Sequence, residues 1–348
     1  MLKIKFKKTL QTACLLTPTI FQEISQEIEI RKDPLTGEVC RINTNRAKRP
    51  KQSLAFINEL DKLIQNSKLN CVFCLDNIEK LTPSFPADFP KKIKVKEAVV
   101  FPNLYPYGAF HIVGVFSSIH HYLDLNQFNS ELIENCFKAC LTYFNILYKR
   151  FPEIKYWWIG WNHMPSGAAS IIHPHIQALA DSKPTKTLKK LLNLSKIYYK
   201  KNKSNYWLDL IETEKELKER FIGELGSTSW LASFAPQGNR EVLGISLKKS
   251  SLAHLSNLEL KELCEGLSKI LKGYYSIGVK SFTLTIFSGP CDNDLSEFYL
   301  LNLKLVSRPN PSPFYTNDDG FMEKLHQEPV IDTLPEDLTS ELKRVFQE

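Results

Sequence analysis

Asn162-His163-Met164-Pro165-Ser166-Gly167-Ala168-Ala169-Ser170-Ile171-Ile172-His173-Pro174-His175-Ile176-Gln177 runs from a loop of small residues into an alternation of polar and apolar side chains. Read as a strand from Ile171 to Leu179, it sends His173, His175 and Gln177 to one face and Ile172, Pro174, Ile176 and Ala178 to the other. Pro174 withholds a ladder donor, so the strand is expected at a sheet edge or interrupted. In the loop, the small side chains of Gly167, Ala168 and Ala169 let backbone N–H groups approach an anion closely. A neutral imidazole beside such a nest is placed to attack phosphorus near pH 7. His175 is therefore the candidate nucleophile, and Gln177, on the same face, an uncharged donor for the charge that builds on the phosphate oxygens.

Working outward, Lys94 to Phe101 and Phe110 to Phe116 read as strands, and Leu132 to Leu147 as a helix by its apolar spacing. Lys155 to Trp161 and Ala169 to Ala180 read as further strands. The order partly recurs: a strand near Val242 to Leu247, a helix from Asn257 to Leu271, and strands near Ser281 to Phe287 and Glu297 to Ser307. A polar, Lys-rich stretch from Asp181 to Glu224 separates the two sets. The expected architecture is α+β, a duplicated unit of antiparallel sheet with flanking helices, divided into residues 1–185 and 186–348. The first copy carries the His, Cys and Gly residues, so the second is expected to support substrate or a partner, with the tail after Gly320 free to reach across.

A chain of 348 residues with 43% hydrophobic content is expected to bury a substantial core, which excludes a disordered or fibrous protein. The net charge of +7 is scattered over residues such as Lys3, Lys8, Lys200, Lys203 and Lys248, a pattern as suited to a small anion as to nucleic acid. The run from Leu10 to Ile20 is too polar for a signal peptide, and no stretch approaches the roughly 20 apolar residues of a membrane span, so a cytoplasmic protein without membrane contact is expected. Among eight cysteines only Cys71 and Cys74 stand at metal-ligand spacing. A lone pair of thiolates needs two further ligands, for which His111, His120, His121 and His173 are candidates.

Several segments together resemble the galactose-1-phosphate uridylyltransferase branch of the histidine-triad superfamily. They are Asp33-Pro34-Leu35-Thr36-Gly37-Glu38 with Asn45-Arg46-Ala47-Lys48-Arg49-Pro50, Cys71-Val72-Phe73-Cys74 with Thr82-Pro83, Phe101-Pro102-Asn103-Leu104-Tyr105-Pro106, and Asn162 to Gln177. They occur in the family's order over roughly the first half of the chain. The resemblance implies a nucleotidyl-histidine intermediate on His175, with Ser170 and Gln177 facing the reacting phosphate. It implies that Arg46 and Arg49 grip substrate phosphates, that Asn103 and Asn162 contact nucleotide, and that Cys71, Cys74, His120 and His173 bind a structural Zn2+, without an organic cofactor. His120 is preferred because Phe116-Ser117-Ser118-Ile119-His120 looks like the family's Phe-Ser-Pro-Asp-His. It also implies a homodimer acting on a nucleotide sugar and a phosphorylated acceptor, either a sugar 1-phosphate or, as in ADP-glucose or diadenosine tetraphosphate phosphorylases, inorganic phosphate.

The chain departs from that pattern at Ile176, where the family has a small residue, and at Leu191 and Glu297 to Leu301, which replace the family's second metal site. A reading from another class is a non-catalytic zinc protein binding nucleotide or RNA. It draws on the basic charge and on Trp157, Trp158, Trp161, Tyr198 and Tyr199. Against it, no RNA-binding motif is present, and the residues around Trp157 belong to an expected core strand, so nucleic acid is not an expected partner.

Overall fold

The computed structural model describes residues 2–50, 59–87, 89–312 and 317–347. Strands β1 (Lys7–Leu16), β2 (Glu23–Lys32) and β3 (Val39–Ile42) open the chain, followed by helices α1 (Glu59–Lys68) and α2 (Leu75–Leu81). Next come β4 (Ile93–Val95), β5 (Ala98–Pro102), β6 (Phe110–Val115), α3 (Ser130–Arg150), β7 (Tyr156–His163) and β8 (His175–Asp181). Helices α4 (Lys186–Asn202) and α5 (Tyr206–Leu217) lead to β9 (Phe221–Leu225), β10 (Thr228–Ala232), β11 (Val242–Ser246), α6 (Asn257–Ser276), β12 (Phe282–Phe287) and β13 (Asn302–Ser307). The chain closes with β14 (Val330–Ile331) and α7 (Pro335–Gln347).

Alternation sets the layers. In β7 the side chains of Trp157, Ile159, Trp161 and His163 are buried while the intervening residues are half-buried, and Ile176, Ala178 and Ala180 of β8 join the same apolar side. Helix α3, started by Asn129 accepting the Leu132 N–H, lays Cys136, Cys140, Phe144 and Leu147 against that side. Close approach is possible because Gly114 has no side chain: a Cβ there would stand 3.1 Å from both Cys136 Sγ and Ile176 Cγ1. Helix α6, begun by a capping box of Ser256 and Glu259, does the same for β10 to β13. The two helices pack together over one continuous apolar cluster.

Ten strands form one antiparallel sheet in the order β4-β5-β6-β8-β7-β12-β13-β11-β10-β9. Outward from the β7–β12 seam the two halves repeat each other: β7, β8, β6, β5, β4 on one side and β12, β13, β11, β10, β9 on the other. This is the duplicated α+β architecture, antiparallel strands with α3 and α6 on one face and, over the second half, α4 and α5 on the other. Residue 185, the expected division, is the N-cap of α4, while the sheet runs on across the seam without a break.

Several expectations need correction. The strand read from Ile171 begins only at His175: Pro174 interrupts it, the second of the two outcomes allowed for, and β8 is central in the sheet rather than at an edge. The segment from Lys94 to Phe101 folds back at Lys96, whose φ is 53°, into a hairpin of β4 and β5. The last core strand starts at Asn302, not Glu297. The Lys-rich stretch is two helices, whose Leu188, Leu191, Tyr206, Trp207 and Leu210 bury an apolar stripe against β10 and β11. The tail, by contrast, does reach across to the first half: β14 pairs in parallel with β3, while α7 packs on α6 and β9. Trp157 and Trp161 are buried, which removes them from any nucleic-acid surface. Among the described residues no helix is long and apolar enough to cross a membrane.

Candidate active site

With its core-facing residues turned toward the helices, β8 presents His175 and Gln177 on the opposite face. The pairing of Gly160 with Gln177, continued by two residues, sets Asn162 opposite His175, and Thr283 of β12 lies beside Asn162. His175 is buried, 7% exposed, with the Phe73 ring centred 5.3 Å from its own. Its Nδ1 lies 2.8 Å from the His173 carbonyl. A carbonyl only accepts, so Nδ1 carries the proton and Nε2 the lone pair. Burial lowers the imidazole's pKa, against the opposing hydrogen bond to His173. His175 is thus neutral at pH 7 with a nucleophilic nitrogen, and among the described residues the hydrogen bond of its ring is the one at Nδ1, leaving Nε2 without one.

Beside it, Cys71, Cys74, His121 and His173 bring their donor atoms within 4.8 Å of one another. His173 Nδ1 is 3.5 Å from Cys71 Sγ and 3.6 Å from Cys74 Sγ, and His121 Nδ1 is 3.5 Å from Cys74 Sγ. Tetrahedral zinc, with Zn–S about 2.3 Å and Zn–N about 2.0–2.1 Å, separates its sulfur and nitrogen ligands by roughly 3.6 Å, so the spacing fits. The far nitrogens fit as well. His173 Nε2–H donates to the Ser117 carbonyl at 2.7 Å. Ser67 Oγ gives its proton to the Ile64 carbonyl and so accepts from His121 Nε2 at 2.8 Å. Each Nδ1 is therefore a lone pair aimed at the thiols, the outer-shell arrangement that orients metal-binding imidazoles. Burial pushes the His173 pKa down to about 4, which keeps it neutral for ligation. Two thiols and two imidazoles leave no open position, as in a structural centre.

The fourth donor is His121, not His120. After Ser117 the chain turns, with the Ile119 N–H on Ser117 Oγ, and leaves His120 exposed. His121, Leu123 and Leu125 are buried while Tyr122 and Asp124 are half-buried. Counted back from Leu125, that alternation identifies the inward histidine better than the distance from Phe116 does. His111 is not in the group either.

The small-residue loop also differs from expectation. The Gly167 and Ala169 N–H groups both donate to the Met164 carbonyl, and the Ala168 N–H donates to Pro165. The anion nest expected of these three amides is therefore closed by the loop's own hydrogen bonds. Glycine is needed at 167 for another reason: a Cβ there would lie 2.5 Å from the Phe282 carbonyl oxygen of β12. Buried Met164 holds φ 65° and ψ 161°, a region that costs a non-glycine residue about 1–3 kcal/mol and is found mostly at functional sites. Ser170 is exposed at the loop's end. Arg46 is exposed in the turn Thr44–Lys48 after β3, with half-buried Arg49 at its end, and among the described residues no hydrogen bond or ion pair joins Arg46 to β8.

A network missed in the sequence surrounds Gln177. Its Oε1 is 2.8 Å from His111 Nε2 and 3.0 Å from the Tyr107 hydroxyl, and the Tyr107 N–H reaches His111 Nδ1 at 3.3 Å. Asn103 caps the loop through the Tyr105 N–H and places its Nδ2 3.1 Å from His111 Nε2. The signal was available in register terms: Val113 pairs with Gln177, so His111 lies diagonally beside it on the same face.

No family model matches the chain. An uncharacterized protein of Archaeoglobus fulgidus is 30% identical over 347 residues, 99% of this chain and all of the relative. An ADP-glucose phosphorylase from Arabidopsis thaliana, solved with bound ADP-glucose, superposes with a TM-score of 0.72 at 20% identity, over 91% of this chain and 98% of that one. A solved uridylyltransferase gives a TM-score of 0.66 at 18% identity, over 91% and 98%. The chain therefore belongs to the family of the archaeal protein and shares its fold with the ADP-glucose phosphorylase and the uridylyltransferase.

Proposed function

We propose that the protein is a nucleotidyltransferase that moves a nucleoside monophosphate from a nucleoside diphosphate sugar to a sugar 1-phosphate through His175. The observation that carries this reading is the fixed tautomer, with Nδ1–H on the His173 carbonyl and a free lone pair on Nε2. Nε2 attacks the α-phosphorus, an N–P bond forms, and the P–O bond to the sugar phosphate breaks, its electron pair leaving with the sugar 1-phosphate. Charge left on the ring is stabilised through Nδ1–H, which donates to a carbonyl throughout. A phosphate oxygen of the acceptor then attacks the same phosphorus, and the N–P electron pair returns to Nε2. Asn162, opposite His175, is assigned to the nucleotide, Gln177 and Ser170 to the reacting phosphate, and Arg46 and Arg49 to substrate phosphates. Cys71, Cys74, His121 and His173 would hold a structural Zn2+, which supplies rigidity to the His173 carbonyl rather than chemistry to the substrate.

The ADP-glucose phosphorylase among the solved structures with this fold favours a second reading, in which inorganic phosphate is the acceptor. Both readings are tested with UDP-glucose and ADP-glucose labelled at the α-phosphorus. Acid-labile, base-stable label on the wild-type protein but not on His175→Asn is expected, and the acceptor that discharges it, hexose 1-phosphate or inorganic phosphate, decides between them. Equal labelling of the variant would overturn both.

A further inference from the structure

From the network around Gln177 we infer that His111 and Tyr107 are positioning residues. They hold the Gln177 side-chain amide in the single orientation that presents its N–H bonds, not its oxygen, to the phosphorus bound by His175. The inference rests on the reading of His175 as nucleophile but uses different atoms. A glutamine amide rotates in a broad, roughly two-fold torsion, so nothing intrinsic decides which end faces a ligand. The wrong end would set a carbonyl dipole against phosphate oxygens as negative charge builds on them.

Here the choice is made by a chain of donors that starts at the backbone. The Tyr107 N–H can only donate, so His111 Nδ1, 3.3 Å away, is the acceptor and Nε2 carries the proton. Nε2–H then points at Gln177 at 2.8 Å, which requires Oε1 there rather than the amide nitrogen. The Tyr107 hydroxyl takes the second lone pair of Oε1 at 3.0 Å. With both lone pairs engaged, only the NH2 group remains for a ligand. His111 is itself fixed, 3% exposed, with the Tyr107 ring centred 4.1 Å from its own. Burial lowers its pKa despite the bond to Gln177, which keeps the ring neutral, and the Tyr107 N–H on Nδ1 chooses between the two neutral tautomers. Asn103 Nδ2 lies 3.1 Å from the same nitrogen, which in this tautomer has no lone pair to offer it.

The test compares His111→Phe, His111→Gln and Tyr107→Phe, each alone and with Gln177→Ala, by single-turnover formation of the nucleotidyl-enzyme. His111→Phe is expected to slow formation about 10- to 100-fold, with the substrate concentration for half-saturation changed less than about threefold. His111→Gln, which keeps an N–H near the Nε2 position, should recover part of the loss, and Tyr107→Phe should show a smaller one. On the Gln177→Ala background His111→Phe should cost nothing further. An undiminished loss there would overturn the inference. Histidine 15N shifts of the full-length protein without substrate give a readout apart from activity: protonated Nε2 with bare Nδ1 on His111 is expected. The reverse tautomer overturns the clamp whatever the activity. The expected tautomer in a protein that forms no nucleotidyl-histidine overturns the transfer reading and leaves the clamp standing.

Discussion

The two halves of the ten-stranded sheet share a strand order and a helix-covered face, and differ on the other face. On the first half, β8 and β6 carry His175, Gln177 and His111 outward, and the segment from Cys71 to Ile78 covers the valines and Phe101 next to them and lays the Phe73 ring against His175. On the second, the strand in the place of β8 is β13, whose outward Lys304 pairs with buried Glu241 at 3.2 Å, while α4 and α5 bury the neighbouring strands. The comparison teaches that the repeated scaffold fixes where a strand lies, and that the cover laid on its outer face decides whether that place is a site or a core.

His175→Asn breaks the comparison at its strongest point: transfer should fall roughly 10^4-fold or more, with the thermal midpoint nearly unchanged. A loss under tenfold in single turnover would remove the first half's distinction. Next, Cys74→Ser, or a strong chelator, should empty the metal site and reduce activity about 10- to 100-fold. Hydrogen exchange should rise around residues 71–78 and 117–123 but not in β9 to β13; full metal content in the variant would sink the assigned ligand set.

In the second half Lys304→Met should do the reverse. Glu241 would be left buried with only Ser233 and the Gln237 N–H, costing about 3 kcal/mol in denaturant unfolding, while nucleotidyl-enzyme formation stays within about threefold. A large rate loss would mean that the second half is also catalytic machinery.

Smaller still is a pH effect at the junction of the four-stranded sheet with the second half, where Glu336 bridges Arg31 and Arg220. Burial would raise its pKa, but the two guanidiniums outweigh it and hold the carboxyl below the usual range. The stabilisation is therefore present above the unfolded value near 4.5 and lost as pH falls through the lower folded value. The wild type should lose more thermal stability than Glu336→Gln between pH 6 and pH 3, and parallel curves would deny the bridge. Least of all, Ala168→Gly should relax the left-handed φ of 68° and stabilise by about 0.5–1 kcal/mol, read from the denaturation midpoint.

The sequence by itself determined the alternation that separates His175 and Gln177 from Ile176 and Ala178, the repeat of strands and helices, and the two thiols at metal-ligand spacing. Each is a local pattern of residue type and period, and local periods survive whatever the rest of the chain does. The tertiary structure alone decided that His121 replaces His120, because a turn after Ser117 changes which imidazole faces inward. It decided that the amides of 167–169 bond within their own loop, and that His111, 66 residues from Gln177, orients its amide. These depend on hydrogen-bond partners brought together by strand register and loop closure, and a donor's partner is chosen by geometry in three dimensions rather than by its neighbours along the chain.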